Sequence, residues 1–333
     1  MRGWWNFRRA VLDAVIDAAP DAALDAGRNV PVVQPTPAAG GRDVLVLPCW
    51  RRPEFLWHCL DNLTRAEGFA AVHVLFRPDT GYLPDNIDVI HAFADRLPSF
   101  QVSLPPPCPY RRTKQSANLL LGYLAAAATA SQYVFLVEED TMVARDFFRW
   151  HRAVQAAAGP LFCSIATRNP NRAVTPPDDP EGYYISSGDF AANGVCFEKS
   201  VVQQLIAPHV NMAYFRRPKA YLRRHFPAST VGLGFVEQDG LLRRIQERSG
   251  IPIAYPCMPR GFDAGFYGYN RPGGVPGALA DRVRQLASTI YSEAAMRSAV
   301  DPQFIERCTP VDLQPRHWTA QHRIDVELGA AAT

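Results

Sequence analysis

Three consecutive carboxylates, Glu138, Glu139 and Asp140, close an apolar run of strand length in the segment YVFLVEEDTMVARDFF, residues 133–148. A strand covered on both faces reads as a continuous apolar run, and the carboxyl ends of such strands are where open α/β sheets hold ligands. Carboxylates crowded there repel one another unless a cation neutralises them. Mg²⁺ or Mn²⁺, hard ions that take oxygen ligands, together with a bound diphosphate would supply that charge. The alternative is a solvated acidic turn ahead of a helix, whose N-terminus favours negative charge.

The elements around the acids have the periodicity of a parallel α/β sheet. DVLVLPCW (43–50) is a short strand-type run, and RPEFLWHCLDNLTRA follows it with Pro53 suited to a first helical turn and apolar residues at helical spacing. VHVLF (72–76) is a second strand, and SANLLLGYLAAAATA (116–130) is a strong helix former that leads back into YVFLV. Beyond the acids, ARDFFRWHRAVQAA continues as a helix, LFCSIAT (161–167) as a strand, and residues 168–190 as a loop rich in Pro, Asp and Gly that is long enough to serve as a lid. VCFEKSVVQQLI (195–206) reads as strand then helix, VEQDGLLRRIQERSG (236–250) as a helix and IPIAYP (251–256) as a last strand. This sets out three regions: an N-terminal helical extension and linker over 1–42, a central α/β domain over 43–277, and a C-terminal helical extension over 278–333.

With 333 residues and 47% hydrophobic side chains the chain can bury a large core. Its 35 basic and 32 acidic side chains balance, so no global field commits it to a nucleic acid or an acidic substrate. Seven scattered cysteines, none paired as C-x-x-C, favour neither a zinc knuckle nor a disulfide framework and fit a reducing compartment. The charged amino terminus lacks a signal-peptide core, and no run reaches the roughly 18 uncharged apolar residues that span a bilayer. The expectation is a cytoplasmic protein without membrane insertion.

In this order of elements the chain resembles the GT-A fold glycosyltransferases, in particular the group that contains N-acetylglucosaminyltransferase I and the protein O-mannose N-acetylglucosaminyltransferase. The likeness covers roughly residues 43–275. VLVLPCWRRPEFLWHCLDNL is similar to the family's first strand, where the nucleotide-contacting arginine falls at Arg51 and Pro48 lies in the same donor-facing turn. FRPDTG places Asp79 at the uridine-binding aspartate. VEED followed by DFF matches the Glu-Asp-Asp and Asp-Phe-Phe segments, which gives Asp140 the metal and Glu138 and Glu139 the ribose and the metal's water shell. PCMPRGFDAGFYGYN (256–270) looks like the Pro-x-x-x-Arg and Gly-x-x-Gly-x-Asn segments through Arg260, Gly265, Gly268 and Asn270. GDFAANGVCF, with Asn193 and Gly194, sits at the family's acceptor-side strand. The departures are Glu139 for the middle aspartate, Asp263 where the family has a histidine near the metal, and Ser116 for a histidine whose diphosphate contact would pass to Lys114 or Asn118.

The resemblance implies a GT-A, Rossmann-like, mostly parallel mixed sheet flanked by helices. It also implies an enzyme that uses Mn²⁺ or Mg²⁺ to transfer a GlcNAc- or glucose-type sugar from a UDP-sugar with inversion. Metal on Asp140, helped by a cation such as Arg260 or Lys114, would neutralise the leaving diphosphate. A carboxylate must then take the acceptor proton, and GFVEQDGLLRR offers Asp239, placed by spacing before Arg243, with Glu237 as the other candidate. Both also read as acids in a helix first turn. The acceptor is a glycan, a small molecule or a hydroxymethylated base in DNA. The last is raised by YRRTK (110–114) and FRRPKAYLRRHF (215–226), where Arg216, Arg217, Arg223 and Arg224 interleave with aromatic residues; such a segment also reads as a solvated helix face. Two other functions fit the same layout. One is a sugar-1-phosphate nucleotidyltransferase, whose usual Gly-rich phosphate loop is absent from CWRRP; the other is a catalytically inactive nucleotide-sugar-binding protein.

Overall fold

The computed structural model describes residues 41–50, 52–78, 84–104, 108–110, 113–167, 179–187, 190–263, 314–317 and 319. The expected N-terminal helix, the Gly-x-x-Gly-x-Asn segment and most of the C-terminal extension lie outside the described residues.

The first half alternates strands and helices: β1 (Asp43–Cys49), α1 (Pro53–Leu63), β2 (Val72–Pro78), α2 (Pro84–Ala92), β3 (Phe100–Val102), α3 (Lys114–Thr129), β4 (Tyr133–Leu136), β5 (Thr141–Val143) and α4 (Phe147–Ala157). The second half runs β6 (Cys163–Ile165), β7 (Gly182–Ser186), β8 (Val195–Glu198), a helix α5 (Lys199–Val201) that passes into a π-helical turn (Val202–Ile206), α6 (Met212–Arg216), α7 (Pro218–His225), α8 (Gln238–Ser249), β9 (Ile253–Pro256), β10 (Gly261–Asp263) and β11 (Arg316–His317). One sheet has the order β11-β7-β9-β6-β8-β4-β1-β2-β3, and β5 pairs with β10 in a separate ribbon. The block β4-β1-β2-β3 is parallel throughout, whereas β8 runs antiparallel between β4 and β6, and β7 antiparallel to β9. The result is the mixed, mostly parallel α/β sheet that the sequence predicts.

The alternation along β1 shows why its run is apolar without a break. Val44 and Val46 face one hydrophobic cluster, with Leu119, Leu120 and Tyr123 of α3. Leu45 and Leu47 face the other, with Phe55, Leu56 and Cys59 of α1 and Phe147 and Phe148 of α4. Successive side chains of a strand point to opposite faces, so helices on both sides demand apolar residues at every position.

Two differences from the sequence expectation matter. Residues 168–190 are not one loop, because Gly182–Ser186 forms β7 against β9; Tyr183 and Tyr184 are buried there and hold the strand by packing. The C-terminal region also returns to the sheet: β11 pairs with β7, and His317 stacks on Tyr183 with ring centroids 5.3 Å apart.

After the acids the chain does not enter the helix directly. β5 intervenes, fixed to α1 by a reciprocal pair in which Asn62 Nδ2 donates to Val143 O (2.9 Å) and Val143 N donates to Asn62 Oδ1 (2.6 Å). Asn62→Leu keeps the side-chain volume but strands two buried backbone groups. Urea unfolding should show a loss of about 2–4 kcal/mol; an unchanged midpoint would mean that β5 is held in some other way.

Candidate functional site

β4 ends at the centre of the parallel block, and the backbone turns at once, with Thr141 N donating to Glu138 O (2.9 Å). That tight turn leaves Glu139 and Asp140 almost fully buried, at 4% and 5% exposure. Ionised carboxylates so far from water require a cation, and Arg52 supplies it. Arg52 Nε donates to Glu139 Oε1 (2.8 Å), Nη2 lies 2.8 Å from the same oxygen, and Nη1 donates to Asp140 Oδ2 (2.6 Å). Arg52 immediately precedes α1, its guanidinium carbon is 5.2 Å from the centre of the Phe55 ring, and the two acids raise its pKa.

The sequence reading assigned the nucleotide contact to Arg51 and no role to Arg52. Arg51 lies outside the described residues, as does Asp79. Pro48 ends up half-buried at the carboxyl end of β1, in register with Arg77 of β2.

Glu138 differs from its neighbours. Burial pushes its pKa well up, and the charges of Asp140, Asp239 and Glu139 push it further, against the pull of Arg52. The charge of Asp239, a hundred residues further along the chain, therefore acts on Glu138 at the end of β4. Tyr123 of α3 feels both Asp239 and Glu138, and its buried hydroxyl has no hydrogen-bond partner among the described residues.

Several contacts hold Asp239 in place. Ser116 near the start of α3 reaches across 122 positions of sequence: Gln238 N donates to Ser116 Oγ (3.0 Å), and Ser116 Oγ donates to Gln238 Oε1 (3.1 Å). The Ser116 hydroxyl thus caps α8 where the carboxylate begins its first turn. On the other side the loop 231–235 is drawn onto α8 by buried Arg244, which donates to the carbonyls of Val231, Gly232, Phe235 and Gly240. Gly240 permits that approach, since a Cβ there would lie 2.1 Å from Phe235 O.

The two candidate bases now separate. Glu237 turns its Oε2 back to accept from Val236 N (3.1 Å). Asp239 Oδ1 is buried with no hydrogen-bond partner among the described residues. Burial raises the Asp239 pKa from its ordinary 3.8 to about 6, Arg243 opposing and Glu237 adding to the shift.

Two donor-site expectations are corrected. Arg260 is completely buried; it pairs with Asp146 (3.4 Å), donates to the Met258 and Pro180 carbonyls, and lies over Trp150. Such a guanidinium fastens the β9–β10 connection to α4 and is not available to a diphosphate. Asn118 is buried at 3% exposure, with Arg77 Nε donating to its Oδ1 (3.1 Å) and its Nδ2 donating to Arg77 O (3.0 Å). Both halves of the amide are spent on a buried arginine whose pKa burial lowers to about 10. Lys114, by contrast, is half-buried at the first turn of α3.

The basic segments come together. Thr113 Oγ1 donates to Phe215 O (2.7 Å), which joins the start of α3 to the end of α6. Arg216 and Arg217 are half-buried in this junction, while Arg223 and Arg224 are exposed on α7. Gly194 has φ +66°, and a Cβ there would stand 2.9 Å from Ala166 Cβ; with half-buried Asn193 it forms the turn into β8.

The carboxylates suit a divalent ion. Glu139 and Asp140 are hard oxygen donors already gathered on one cation, and Mg²⁺ and Mn²⁺ commonly use one or two carboxylates, filling the remaining positions with water and phosphate oxygen. No cage of three His, Cys, Asp or Glu side chains exists among the described residues. Asp263 lies in β10 in register with Thr141, the residue after Asp140, though its side chain is outside the described atoms.

No family model and no curated protein matches the sequence. Solved structures do. S. aureus TarS is 9% identical at TM-score 0.43, covering 79% of this chain, which spans 42% of the TarS chain. TarS 1–349 in complex with UDP-GlcNAc is 10% identical at TM-score 0.44, over 79% of this chain and 70% of that one. The mannosyltransferase PcManGT from Pyrobaculum calidifontis, in complex with GDP-Man and Mn²⁺, is 12% identical at TM-score 0.39, over 89% and 92%. These scores describe a distant likeness and assign no activity. No helix among the described residues is long and apolar enough to cross a membrane.

The raised Asp239 pKa fixes a sign. A carboxyl held protonated by the fold favours folding fully below its unfolded pKa, near 4, and that contribution is lost as pH rises through about 6. Asp239→Asn should therefore match the parent at pH 4 and be more stable at pH 8 by on the order of 2–3 kcal/mol. Urea midpoints at the two pH values check this. Gly240→Ala should cost about 2–4 kcal/mol at either pH, because a Cβ there meets backbone.

Proposed function

We propose that this chain is a glycosyltransferase that moves a sugar from a UDP-sugar to an acceptor hydroxyl, with Asp239 as the general base. The single observation behind this reading is that the charge of Asp239 of α8 acts on Glu138, the first of the carboxylates at the end of β4, in the ligand-binding position of a parallel sheet. A nucleotidyltransferase has no evident use for a half-buried carboxylate with a raised pKa beside the metal-type acids. An acceptor hydroxyl does.

Asp140, with Glu139 beside it, would hold Mn²⁺ or Mg²⁺, which when bound supplies a Lewis acid for the leaving diphosphate. Lys114, at the first turn of α3, is placed to add positive charge to the same group. Arg51, Asp79 and Pro48 keep their nucleotide-contacting roles as implied by the resemblance, and Asp263 remains a candidate second ligand. Glu138 is the ribose partner.

At neutral pH Asp239 is mostly deprotonated yet basic enough to accept a proton. It takes the proton of the acceptor hydroxyl as that oxygen bonds to the anomeric carbon and the carbon–oxygen bond to the diphosphate breaks. The bonding pair leaves with UDP, and one displacement inverts the anomeric centre. The GlcNAc or glucose type of the sugar follows the resemblance to the N-acetylglucosaminyltransferase I group, and Asn193 with Gly194 lies on the acceptor side.

Purified protein with Mn²⁺ should hydrolyse or transfer from one member of a panel of UDP-sugars. Asp239→Asn should lower that rate by roughly 10²–10⁴-fold without changing UDP affinity, and Asp140→Ala should weaken UDP binding in the presence of Mn²⁺. No turnover on any UDP-sugar, together with UDP affinity indifferent to Asp140→Ala, would remove the proposal.

A further inference from the structure

Neither the motif pattern nor the resemblance assigns a role to Arg52, whose side chain lies at the acidic turn. We infer that Arg52 is a resident counter-cation of the donor site, which a divalent ion must displace from Asp140 and which then pairs with the nucleotide's diphosphate. This rests on the reading of Asp140 as a metal ligand.

The geometry makes the two cations mutually exclusive. Arg52 Nη1 is 2.6 Å from Asp140 Oδ2, and the same guanidinium makes two contacts of 2.8 Å with Glu139 Oε1. A divalent ion bonds carboxylate oxygen at about 2.0–2.1 Å, so it would share that oxygen with a full positive charge in contact with it. One cation has to leave. The acids cannot be left bare in the interval, because both are at least 95% buried.

Arg52 is more exposed than the other arginines that hold this region. Arg244 is locked by four backbone carbonyls, and Arg260 by two carbonyls and Asp146. Arg52 precedes α1 with extended φ of −139° and no side-chain cap on the helix. Its guanidinium holds both acids, and its side chain keeps 13% exposure, enough to place it at the mouth of the site. A guanidinium released there finds in a diphosphate the same charge-assisted, two-pronged acceptor that the carboxylates provided. Metal and nucleotide then bind cooperatively, since each favours the arrangement in which Arg52 has left the acids.

The test is Mn²⁺ affinity of the full chain without nucleotide, read by electron paramagnetic resonance or calorimetry, for the parent, Arg52→Gln and Arg52→Lys. The expected result is Mn²⁺ binding at least tenfold tighter in Arg52→Gln than in the parent, with Arg52→Lys between them, and UDP binding at saturating Mn²⁺ weaker by about tenfold in Arg52→Gln. Asp140→Asn in the Arg52→Gln background should abolish the gain. If Arg52→Gln does not fold, the lysine variant alone decides, since an ammonium lacks the planar fork by which the guanidinium holds the two acids. Mn²⁺ affinity equal to or weaker than the parent's in every folded variant, or no Mn²⁺ binding at all, overturns the inference. Tighter Mn²⁺ binding with no UDP binding in any protein would keep the displacement and remove the diphosphate partner together with the glycosyltransferase reading.

Discussion

Charge neutralisation at the end of β4 is the constraint on which the rest of the site depends. Glu139 and Asp140 are held almost out of water by a turn that the chain makes immediately after a fully buried strand. Two ionised groups cannot stay there without a cation in contact, and the Coulomb energy at stake is about 4 kcal/mol per contact pair at 4 Å and an effective dielectric of 20. Arg52 meets that requirement from the start of α1. The first βα unit and the central strand are thus coupled by charge as well as by the packing of Leu47 and Phe55 in one cluster.

The second constraint is the long-range placement of Asp239. Its helix is attached at three points: Ser116 at the helix start, Tyr214, whose hydroxyl donates to Val236 O (2.7 Å), and Arg244 beneath the preceding loop. None of these contacts reaches Asp239 Oδ1, which has no hydrogen-bond partner among the described residues, and burial raises its pKa against the pull of Arg243. Glu237, two residues earlier, accepts from a backbone amide. One helix start therefore carries two acids of different character, and the difference comes from hydrogen bonding rather than from residue type.

The parts legible in the sequence were those that depend on local pattern. β1, β2 and β4 announce themselves as unbroken apolar runs because both faces are covered, and α1, α3 and α8 by periodicity. β5, β7 and β10 were missed because each is three to five residues long. Pairing with a distant partner makes them strands. Arg52 shows a different limit: its type and position do not reveal that it turns onto Glu139 and Asp140, which the backbone before α1 decides. Arg260 and Asn118 occupy the expected positions, but burial directs them inward. A pattern of residues records identity and spacing, whereas availability to a ligand depends on what else surrounds the side chain.

The start of α3 gathers these threads. Thr113 fastens it to α6, Lys114 follows, Ser116 holds α8 and Asn118 secures Arg77 of β2. Three of these polar residues, Thr113, Ser116 and Asn118, each engage a different part of the fold, which explains why a helix otherwise rich in Leu and Ala begins with a polar stretch. A helix made only for packing would carry apolar residues on its buried face from its first turn. Here Ser116 and Asn118 are buried and polar, and their bonds tie α3 both to the helix that carries Asp239 and to β2, which helps fix the distance between that helix and the parallel block. The proposed chemistry needs that distance fixed, because a base that takes a proton from an acceptor must stay in register with the group that departs on the other side of the sugar.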